Sequence, residues 1–467
     1  MDGREKCGVF GVYGLENASE LTYLGLFSLQ HRGQESAGIA VSDGKIVREK
    51  KGMGLVSEVF TSRDLKSLPG HIALGHVRYS TTGSSSPRNV QPFIGESRFG
   101  HLAVAHNGNL TNALAIWKKL SERGAVFQSS MDTELILHLL AQSSFDGLED
   151  SLKDALWQIQ GAFSLGILSS HQLIAVRDPW GFRPLSLGKL GDGYIISSES
   201  CAFNVLGAEF VREIEPGEMI IIDEKGVRSF FYAYSPRKAF CIFELIYFAR
   251  PDSIVFGNQV YQARKNMGKV LADEEDCSAD MVVPVPDSGT FAALGFSEAS
   301  GIPLEFAMIR NPYVGRTFIR PEQGARDLAV KIKLDPIKEL IRGKRIVVIE
   351  DSIVRGSTSR QRIATLKEAG AREVHMRVSS PPHIFPCHYG IDFPTRRELI
   401  ASNKSTEEVR KYLGLDSLRY ITIEGLKKSI TPPGENYCFA CFNGDYPVLP
   451  QEGGKLILEG RQIINNC

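Results

Sequence analysis

The pattern of hydrophobic segments changes near residue 240, and this change limits the folds open to the chain. From residue 7 to about 230, short strand-like runs such as "AGIAVSD" and "FSLGILS" are separated by turn residues. Two helical stretches, "ASELTYLGLFSLQHRG" and "MDTELILHLLAQSS", interrupt them, and Leu135, Leu139 and Leu140 recur at helical spacing in the second. This mixture predicts an α+β sandwich in the first half.

After residue 240, apolar runs alternate with helical segments. The runs "MVVPVP", "LEFAMI", "KRIVVIE" and "EVHMRVSS" are separated by segments such as "FAALGFSEAS" and "SRQRIATLKEAG". The alternation predicts βαβ units around a parallel sheet. The stretch from about 396 is helical at first and then rich in loops, and we expect it to be an appendage of this half. Because 467 residues exceed one ordinary core, two or three domains are expected.

Charge and hydropathy exclude several classes of protein. Lys plus Arg and Asp plus Glu both number 54, so the chain lacks the basic excess of proteins that bind nucleic acid or membrane surfaces. No apolar run approaches the length of a membrane span, and the opening "MDGREK" is charged. We therefore expect a cytoplasmic protein with no nucleic-acid or membrane partner.

The segment "RIVVIEDSIVRGSTS", residues 345–359, has the order of a phosphate-binding loop. An apolar strand ends in Glu350 and Asp351, and Gly356 precedes a run of hydroxyl residues at a helix start. Free N–H groups and the partial positive charge of a helix N-terminus suit a phosphate. Adjacent carboxylates at the carboxyl end of a parallel strand can hold ribose hydroxyls or Mg²⁺. The alternative is an acidic turn that caps a helix.

This segment resembles the phosphoribosyl-pyrophosphate loop of type I phosphoribosyltransferases, and more narrowly that of the glutamine phosphoribosylpyrophosphate amidotransferases. Their usual loop is close to DDSIVRGTTS, so Glu350 and Ser357 are departures that keep the functional group. "VVPVPDSGT" resembles the pyrophosphate loop, with Ser288 at a magnesium position, and residues 311–334 resemble a mobile substrate loop. The resemblance implies that phosphoribosyl pyrophosphate is bound by Glu350, Asp351, Arg355, Gly356, Ser357, Thr358, Ser359, Arg316 and Lys331, and Mg²⁺ by Ser288, Glu350 and Asp351.

Cys7 opens the run "CGVFG". One interpretation is a small residue on a buried first strand. The run, however, resembles the start of the glutaminase domain of N-terminal-nucleophile hydrolases. The resemblance implies that "MDGREK" is a leader, residues 1–6, whose removal leaves Cys7 with a free α-amine. An amine with a pKa near ~8 can act as the general base for the thiol.

Further segments resemble the same glutaminase class. "HVRYSTTG" places Arg78 where the family binds the carboxylate of glutamine, and "SSMDTE" places Asp132 where it binds the α-amino group. "AHNGNL" places Asn107 and Gly108 at the oxyanion hole. "LQHRGQESAG" is interpreted as structural support near the nucleophile. The resemblance implies an αββα sandwich for residues 7–235 and a phosphoribosyltransferase domain for 236–467.

Eight cysteines are too few for a disulfide scaffold, and the CxxC pair Cys438 and Cys441 points to metal, cluster or redox chemistry. The surroundings of these two residues, and of Cys241 and Cys387, resemble the iron–sulfur subfamily, which implies a [4Fe–4S] cluster on four thiolates. Zinc is the alternative. Cys201, Cys277 and Cys467 are expected to be ordinary thiols.

Together these resemblances imply an enzyme that releases ammonia from glutamine at one site and uses it at another. There, phosphoribosyl pyrophosphate would become 5-phosphoribosylamine, the first committed step of purine synthesis. Purine nucleotide feedback inhibitors and a homotetramer are implied as well. A different glutamine amidotransferase would lack the loop at 350–359. A regulatory protein that binds phosphoribosyl pyrophosphate without turnover would not need a complete glutaminase.

Overall fold

The structure is a computed structural model of the chain. It describes residues 7–79, 83–274, 278–311, 334–393, 395–432, 434–450 and 458. Residues 1–6, as well as Arg316, Lys331, Cys277 and Cys467, lie outside the described residues.

Two antiparallel sheets form the first half. Its strands, in chain order, are Gly8–Tyr13 (β1), Ser36–Ser42 (β2), Val47–Met53 (β3), Ile72–Arg78 (β4), Phe93–Ser97 (β5), Gly100–Leu110 (β6), Gly161–Leu168 (β7), Leu173–Arg177 (β8), Ser186–Leu190 (β9), Gly193–Ser197 (β10), Glu209–Glu213 (β11), Glu218–Asp223 (β12) and Gly226–Phe231 (β13). One sheet has the order β11-β9-β10-β1-β4-β2-β3, and the other has the order β13-β12-β8-β7-β6-β5. Strand β1, which directly follows Cys7, is thus an inner strand between β10 and β4.

Helices cover the outer face of each sheet. They are Ala18–Ser28 (α1), Val56–Val59 (α2), Ser62–Lys66 (α3), Ala113–Glu122 (α4), Asp132–Gln142 (α5), Leu148–Gln158 (α6) and Cys201–Leu206 (α7). Alternate residues of β1 serve different layers, because Phe10 packs on the helix side with α1 whereas Val9 packs between the two sheets. The expected αββα sandwich is confirmed.

The prediction of only two helical stretches in this half was incomplete. Helix α6 is largely polar, with Leu152, Ala155 and Leu156 buried, and it packs with α4 and α5 in the core that covers the second sheet. A short apolar stripe on a charged helix gives a weak periodic signal. The helix is stabilised by the sheet on which it packs.

The second half contains a four-stranded parallel sheet, as expected. Its strands are Met281–Pro284 (β17), Arg345–Glu350 (β20), Glu373–Val378 (β21) and Ser417–Tyr420 (β22), in the order β17-β20-β21-β22. This half also contains two-residue and three-residue strands outside that sheet, namely Phe240–Cys241 (β14), Ile254–Val255 (β15), Asn258–Gln259 (β16), Met308–Arg310 (β18), Leu334–Pro336 (β19) and Tyr437–Cys438 (β23). The helices are Val260–Asp273 (α8), Thr290–Ser300 (α9), Lys338–Ile341 (α10), Ser357–Glu368 (α11), Ile400–Asn403 (α12), Thr406–Leu413 (α13), Ile423–Lys428 (α14) and Ala440–Asn443 (α15), and Glu244–Phe248 form a π-helix.

Two details of this sheet differ from the sequence prediction. The run "LEFAMI" contributes only a bridge between Leu304 and Val282, and its end, β18, pairs with β19 in a separate antiparallel ribbon. The fourth strand, β22, comes instead from the stretch expected to be an appendage. Strand β22 has only four residues, too few for a clear strand pattern in the sequence. Its pairing with β21 holds it in the sheet.

The last described segment returns to the start of the second half. Strand β23 pairs in parallel with β14, which places Cys438 directly opposite Cys241. Ala440 also packs in a small core with Phe182 and Ala162 of the first half. The division at residues 235 and 236 stays a prediction. Within the described parts of the chain, every helix is too short or too polar to cross a lipid bilayer.

Candidate active sites and a cluster of four cysteines

Cys7 lies immediately before strand β1, in a buried position. Its Sγ donates a hydrogen bond to the carbonyl oxygen of Tyr79 at 3.4 Å, and the Nε of Arg32 donates to the carbonyl oxygen of Cys7 at 3.0 Å. Arg32 belongs to the "LQHRGQESAG" stretch, so the interpretation of this stretch as support for the nucleophile agrees with the contact. One contact therefore holds the side chain of Cys7, and the other holds its backbone carbonyl.

Charged groups surround the thiol. Burial raises the pKa of Cys7 to about 11, and Glu35 and Asp132 act in the same direction, whereas backbone hydrogen bonding with Tyr79 and the charge of Arg78 lower it. A thiol with this pKa is protonated at neutral pH, so it needs a base to become a nucleophile. Arg78 and Asp132, both predicted to bind glutamine, act on Cys7 and therefore share its site.

Arg78 ends strand β4 with its side chain buried. Its Nη1 lies 3.5 Å from Glu35 Oε2, and its Nη2 donates to the Gly83 carbonyl oxygen at 3.5 Å. Both contacts are long for hydrogen bonds of a guanidinium. A ligand carboxylate could replace such contacts with shorter ones.

Asp132 begins helix α5 and is also buried. It accepts a hydrogen bond from the backbone N–H of Leu110 at 3.0 Å, and His106 Nδ1 lies 3.4 Å from its other oxygen. Burial alone would raise the pKa of Asp132, but His106 and the backbone donors outweigh burial and lower it. Asp132 is consequently a carboxylate, as recognition of an ammonium group requires. The sequence analysis assigned no role to His106.

Asn107 and Gly108 follow His106 on strand β6. The Nδ2 of Asn107 is buried and has no hydrogen-bond partner among the described residues. A buried N–H₂ donor without an acceptor is costly unless a ligand completes it, and an oxyanion would do so. Gly108 is required at its position, because a Cβ there would collide with the carbonyl oxygen of Ala162.

A segment of the second half packs against this strand. The Nδ2 of Asn109 donates to the carbonyl oxygen of His388 at 3.0 Å, and the ring of Tyr389 stacks on Phe182 with centroids 4.1 Å apart. A Cβ at Gly390 would lie 2.8 Å from the backbone of Gly108. Residues 387–391 therefore contact the strand that carries the candidate oxyanion hole.

The acidic pair lies where the carboxyl ends of two neighbouring parallel strands meet. Glu350 ends β20, and the next residue, Asp351, accepts a hydrogen bond from Ser288 Oγ at 2.7 Å, while Ser352 also donates to it. Ser288 follows β17. Both carboxyl groups are buried, and Glu350 forms an ion pair with Arg362. Hydroxyl and carboxylate oxygens gathered in this way suit a hard cation or ribose hydroxyls.

The phosphate segment forms the N-terminus of helix α11. Gly356 caps the helix with φ +77°, and a Cβ there would lie 2.8 Å from Ile400 Cδ1. The first helical residues, Ser357, Thr358 and Ser359, have backbone N–H groups that lack intrahelical acceptors. Arg355 points elsewhere, because its Nη2 pairs with Glu398 at 3.2 Å on the surface. A role for Arg355 in phosphate binding would require that pair to open.

The four predicted cluster cysteines converge, although they come from three distant parts of the chain. Cys241, Cys387, Cys438 and Cys441 line one small cavity whose other walls are apolar or aromatic. All are free thiols, and burial raises the pKa of each. The backbone N–H of Tyr389 donates to Cys387 Sγ at 3.4 Å. The donor set therefore fits thiolate ligation of a metal.

The residue types suit metal ligation better than the present arrangement of the four thiols does. Among the described residues, no three or more His, Cys, Asp or Glu side chains are already arranged as metal ligands. The cavity measures about 20 Å³, the space of roughly one water molecule.

Comparison with known proteins identifies the family of the chain. Residues 76–205 match a model of the "Glutamine amidotransferase domain" family. The chain is 48% identical over 451 residues to amidophosphoribosyltransferase of Bacillus subtilis (strain 168), covering 95% of this chain and 94% of that protein. It is 48% identical over 464 residues to amidophosphoribosyltransferase 2, chloroplastic, of Arabidopsis thaliana, covering 98% and 83%.

Solved structures give the same result. The glutamine phosphoribosylpyrophosphate amidotransferase of B. subtilis, complexed with ADP and GMP, superposes with a TM-score of 0.91 at 46% identity, covering 96% of this chain and 99% of that one. A structure described as the allosteric regulatory enzyme of purine biosynthesis gives a TM-score of 0.92 at 47% identity, covering 96% and 97%. The fold and the paired sites define a glutamine-dependent transferase, and the chain belongs to the amidophosphoribosyltransferase family.

Proposed function

We propose that this protein is an amidophosphoribosyltransferase that converts phosphoribosyl pyrophosphate, glutamine and water into 5-phosphoribosylamine, glutamate and pyrophosphate. This is the first committed step of purine synthesis. The observation that carries the proposal is a buried nucleophile site and an acidic phosphate-loop site in one chain of this family. Neither a lone glutaminase nor a lone phosphoribosyltransferase would need both.

The first half-reaction is the release of ammonia from glutamine. Arg78 binds the substrate carboxylate and Asp132 its ammonium group, which brings the amide to Cys7. With residues 1–6 removed, the α-amine of Cys7 takes the proton of the thiol, and Sγ attacks the amide carbon. Asn107 Nδ2 and the Gly108 N–H stabilise the oxyanion that forms. Ammonia leaves, and water hydrolyses the thioester to glutamate.

The second half-reaction takes place at the ends of β17 and β20. The N-terminus of helix α11, at Gly356 to Ser359, holds the 5′-phosphate, and Glu350 and Asp351 hold the ribose hydroxyls. Ser288, Glu350 and Asp351 are the residues that would hold Mg²⁺, which neutralises pyrophosphate charge when bound. Arg316 and Lys331 are proposed to meet the phosphates. Ammonia, passed internally from Cys7, attacks C1 as pyrophosphate leaves.

Replacement of Cys7 tests whether the two half-reactions use separate sites. Cys7→Ala removes Sγ but leaves the second site intact. We expect it to abolish glutamine-dependent activity while ammonia-dependent activity stays within about twofold of the unchanged enzyme. The measurement is phosphoribosylamine formation with each nitrogen donor. Cys201→Ala, a buried thiol outside the site, is the matched control.

Loss of both activities in Cys7→Ala, with the fold intact by circular dichroism, would show that Cys7 is a structural residue. The intact mass of the denatured protein tests the leader separately. A mass without residues 1–6 supports the α-amine mechanism. A full-length active enzyme contradicts it.

We also propose that Cys241, Cys387, Cys438 and Cys441 hold a [4Fe–4S] cluster, which would crosslink three chain segments and respond to oxygen. Convergence of four free thiols supports this proposal. The second candidate is a single zinc ion, which four thiolates also suit. Iron, sulfide and zinc analysis of protein purified without oxygen separates them: four irons per chain support the cluster, and one zinc overturns it. Cys438→Ser should lose the metal, whereas Cys201→Ser should keep it.

The regulation and the assembly of this enzyme are proposed on the same basis. The B. subtilis relative is complexed with ADP and GMP, which supports feedback inhibition of this enzyme by purine nucleotides. A homotetramer and a cytoplasmic location are further proposals, drawn from the resemblance and the composition.

A further inference from the structure

Glu350 differs from the aspartate that the resembling loops carry at this position, and the structure shows what the longer side chain contacts. Glu350 is the last residue of β20 and is 3% exposed. Its Oε2 forms an ion pair with Nη1 of Arg362, which lies in helix α11 and is 5% exposed. The carboxylate thus reaches from the strand to the helix that follows the phosphate segment.

This ion pair is buried on both sides. Removing one member of a buried pair leaves the other charge without compensation, which is far more costly than losing a surface pair. The Nε of Arg362 is also buried and has no hydrogen-bond partner among the described residues, so the guanidinium depends on few contacts. The orientation of Glu350 is consequently tied to Arg362.

Arg362 also lines a cavity that it shares with the β18–β19 ribbon. It lines a small cavity with Met308 of β18 and Leu334 of β19, the two strands on either side of residues 312–333. A change at Arg362 would therefore affect both the acidic pair and the packing of this ribbon.

We propose that Arg362 is a positioning residue for Glu350. It holds this carboxylate oriented at the ribose site, so that Glu350 and Arg362 act as a pair. An aspartate is one methylene shorter, so its carboxylate would meet Arg362 from farther away. Replacing Glu350 by aspartate is therefore expected to weaken this pair. The inference rests on the proposed binding of phosphoribosyl pyrophosphate at this site.

The test is a double-mutant cycle with ammonia as the nitrogen donor. We expect Arg362→Met to raise the KM for phosphoribosyl pyrophosphate about tenfold or more, and Glu350→Asp to raise it by a smaller factor. The double variant should be less impaired than the product of the two single effects, because without Arg362 the length of the acidic side chain no longer affects the pair. Arg360→Met is the matched control, since Arg360 lies exposed on the same helix against Tyr412, and its KM should be unchanged.

The glutaminase activity of each variant reports on its fold independently. If Arg362→Met does not fold, Arg362→Lys keeps the charge without the planar fork, and an intermediate KM would support the proposal. Equal KM values for Arg362→Met and Arg360→Met, or strictly multiplicative effects in the cycle, would overturn it. Failure of the unchanged enzyme to use phosphoribosyl pyrophosphate would instead overturn the proposed function.

Discussion

His76 lies on strand β4 directly opposite Val9 of the nucleophile strand, and its ring is fully buried. The Nε2–H donates to the carbonyl oxygen of His106 at 3.1 Å, whereas Nδ1 has no partner in the described part of the chain. Burial lowers the pKa of His76 to about 3; the hydrogen bond to the His106 carbonyl opposes this shift, and the charges of Arg78 and His106 reinforce it. The folded protein therefore keeps this imidazole neutral.

This burial makes His76 a source of acid sensitivity. An unfolded histidine titrates near ~6.5, so below that pH the unfolded chain binds a proton that the folded chain does not bind until about pH 3. The contribution of His76 to the free energy of unfolding is fully present above about pH 6.5. It falls by up to about 1.4 kcal/mol per pH unit as the pH drops through this window. We expect His76→Gln to flatten the decline in the urea midpoint between about pH 7.5 and 5.5. The exposed His171→Gln is the control, and equal slopes for all three proteins would contradict the assignment.

At the scale of elements, residues 387–391 contact both the cysteine cavity and strand β6. Cys387 lines the cavity, and Gly390 lies against the backbone of Gly108 with φ +90°. One short segment thus joins the proposed metal site to the proposed oxyanion hole. Substitutions in this segment are therefore expected to lower the glutaminase activity more than the ammonia-dependent activity.

Gly390→Ala tests this contact. A Cβ would lie 2.8 Å from the Gly108 backbone, so β6 or the segment must shift. We expect kcat with glutamine to fall about tenfold to a hundredfold, since displacing an oxyanion donor has effects of this size, while ammonia-dependent activity changes little. Gly301→Ala is the matched control, because its φ is +73° and nothing lies within 4 Å of the added Cβ. An equal loss in both variants would mean that backbone strain alone is responsible.

At the scale of the whole molecule, buried charges join the two halves. Arg32 contacts the Cys7 carbonyl and Glu199 in the first half, and its Nη2 donates to Glu244 Oε1 of the second half at 3.0 Å. Arg183 Nη1 lies 3.6 Å from the same oxygen. The buried ion network therefore spans the predicted domain boundary at residue 235. Through Arg32, it links the backbone of Cys7 to both halves.

Glu244→Gln should consequently destabilise the whole protein. It leaves Arg32 and Arg183 with one fewer buried counter-charge, a change that typically costs about 3–5 kcal/mol. The measurement is the midpoint of thermal unfolding, with the exposed Glu424→Gln as control, since its surface pair with Lys427 should contribute less than ~1 kcal/mol. A midpoint equal to that of the control would show that the network contributes little.

The sequence by itself determined the features that are local. The strand, acidic pair, glycine and hydroxyl residues at 345–359 lie within one short segment, so their order predicts the phosphate loop, and the structure gives Gly356 the left-handed conformation that such a start requires. The two sheet types were also predictable, because alternating strands and βαβ segments have different spacings. The role of Cys7 could be predicted only through resemblance.

Only the tertiary structure decided which distant groups meet. Glu350 finds Arg362, Asp132 finds His106, and Arg32 joins Cys7 to Glu244. Strand β22 also joins the parallel sheet from a segment expected to lie outside it. Such pairings depend on packing, register and burial, and a side chain's own sequence neighbours carry little information about them. Buried charges must find counter-charges in the folded core, and the fold supplies them across long stretches of chain.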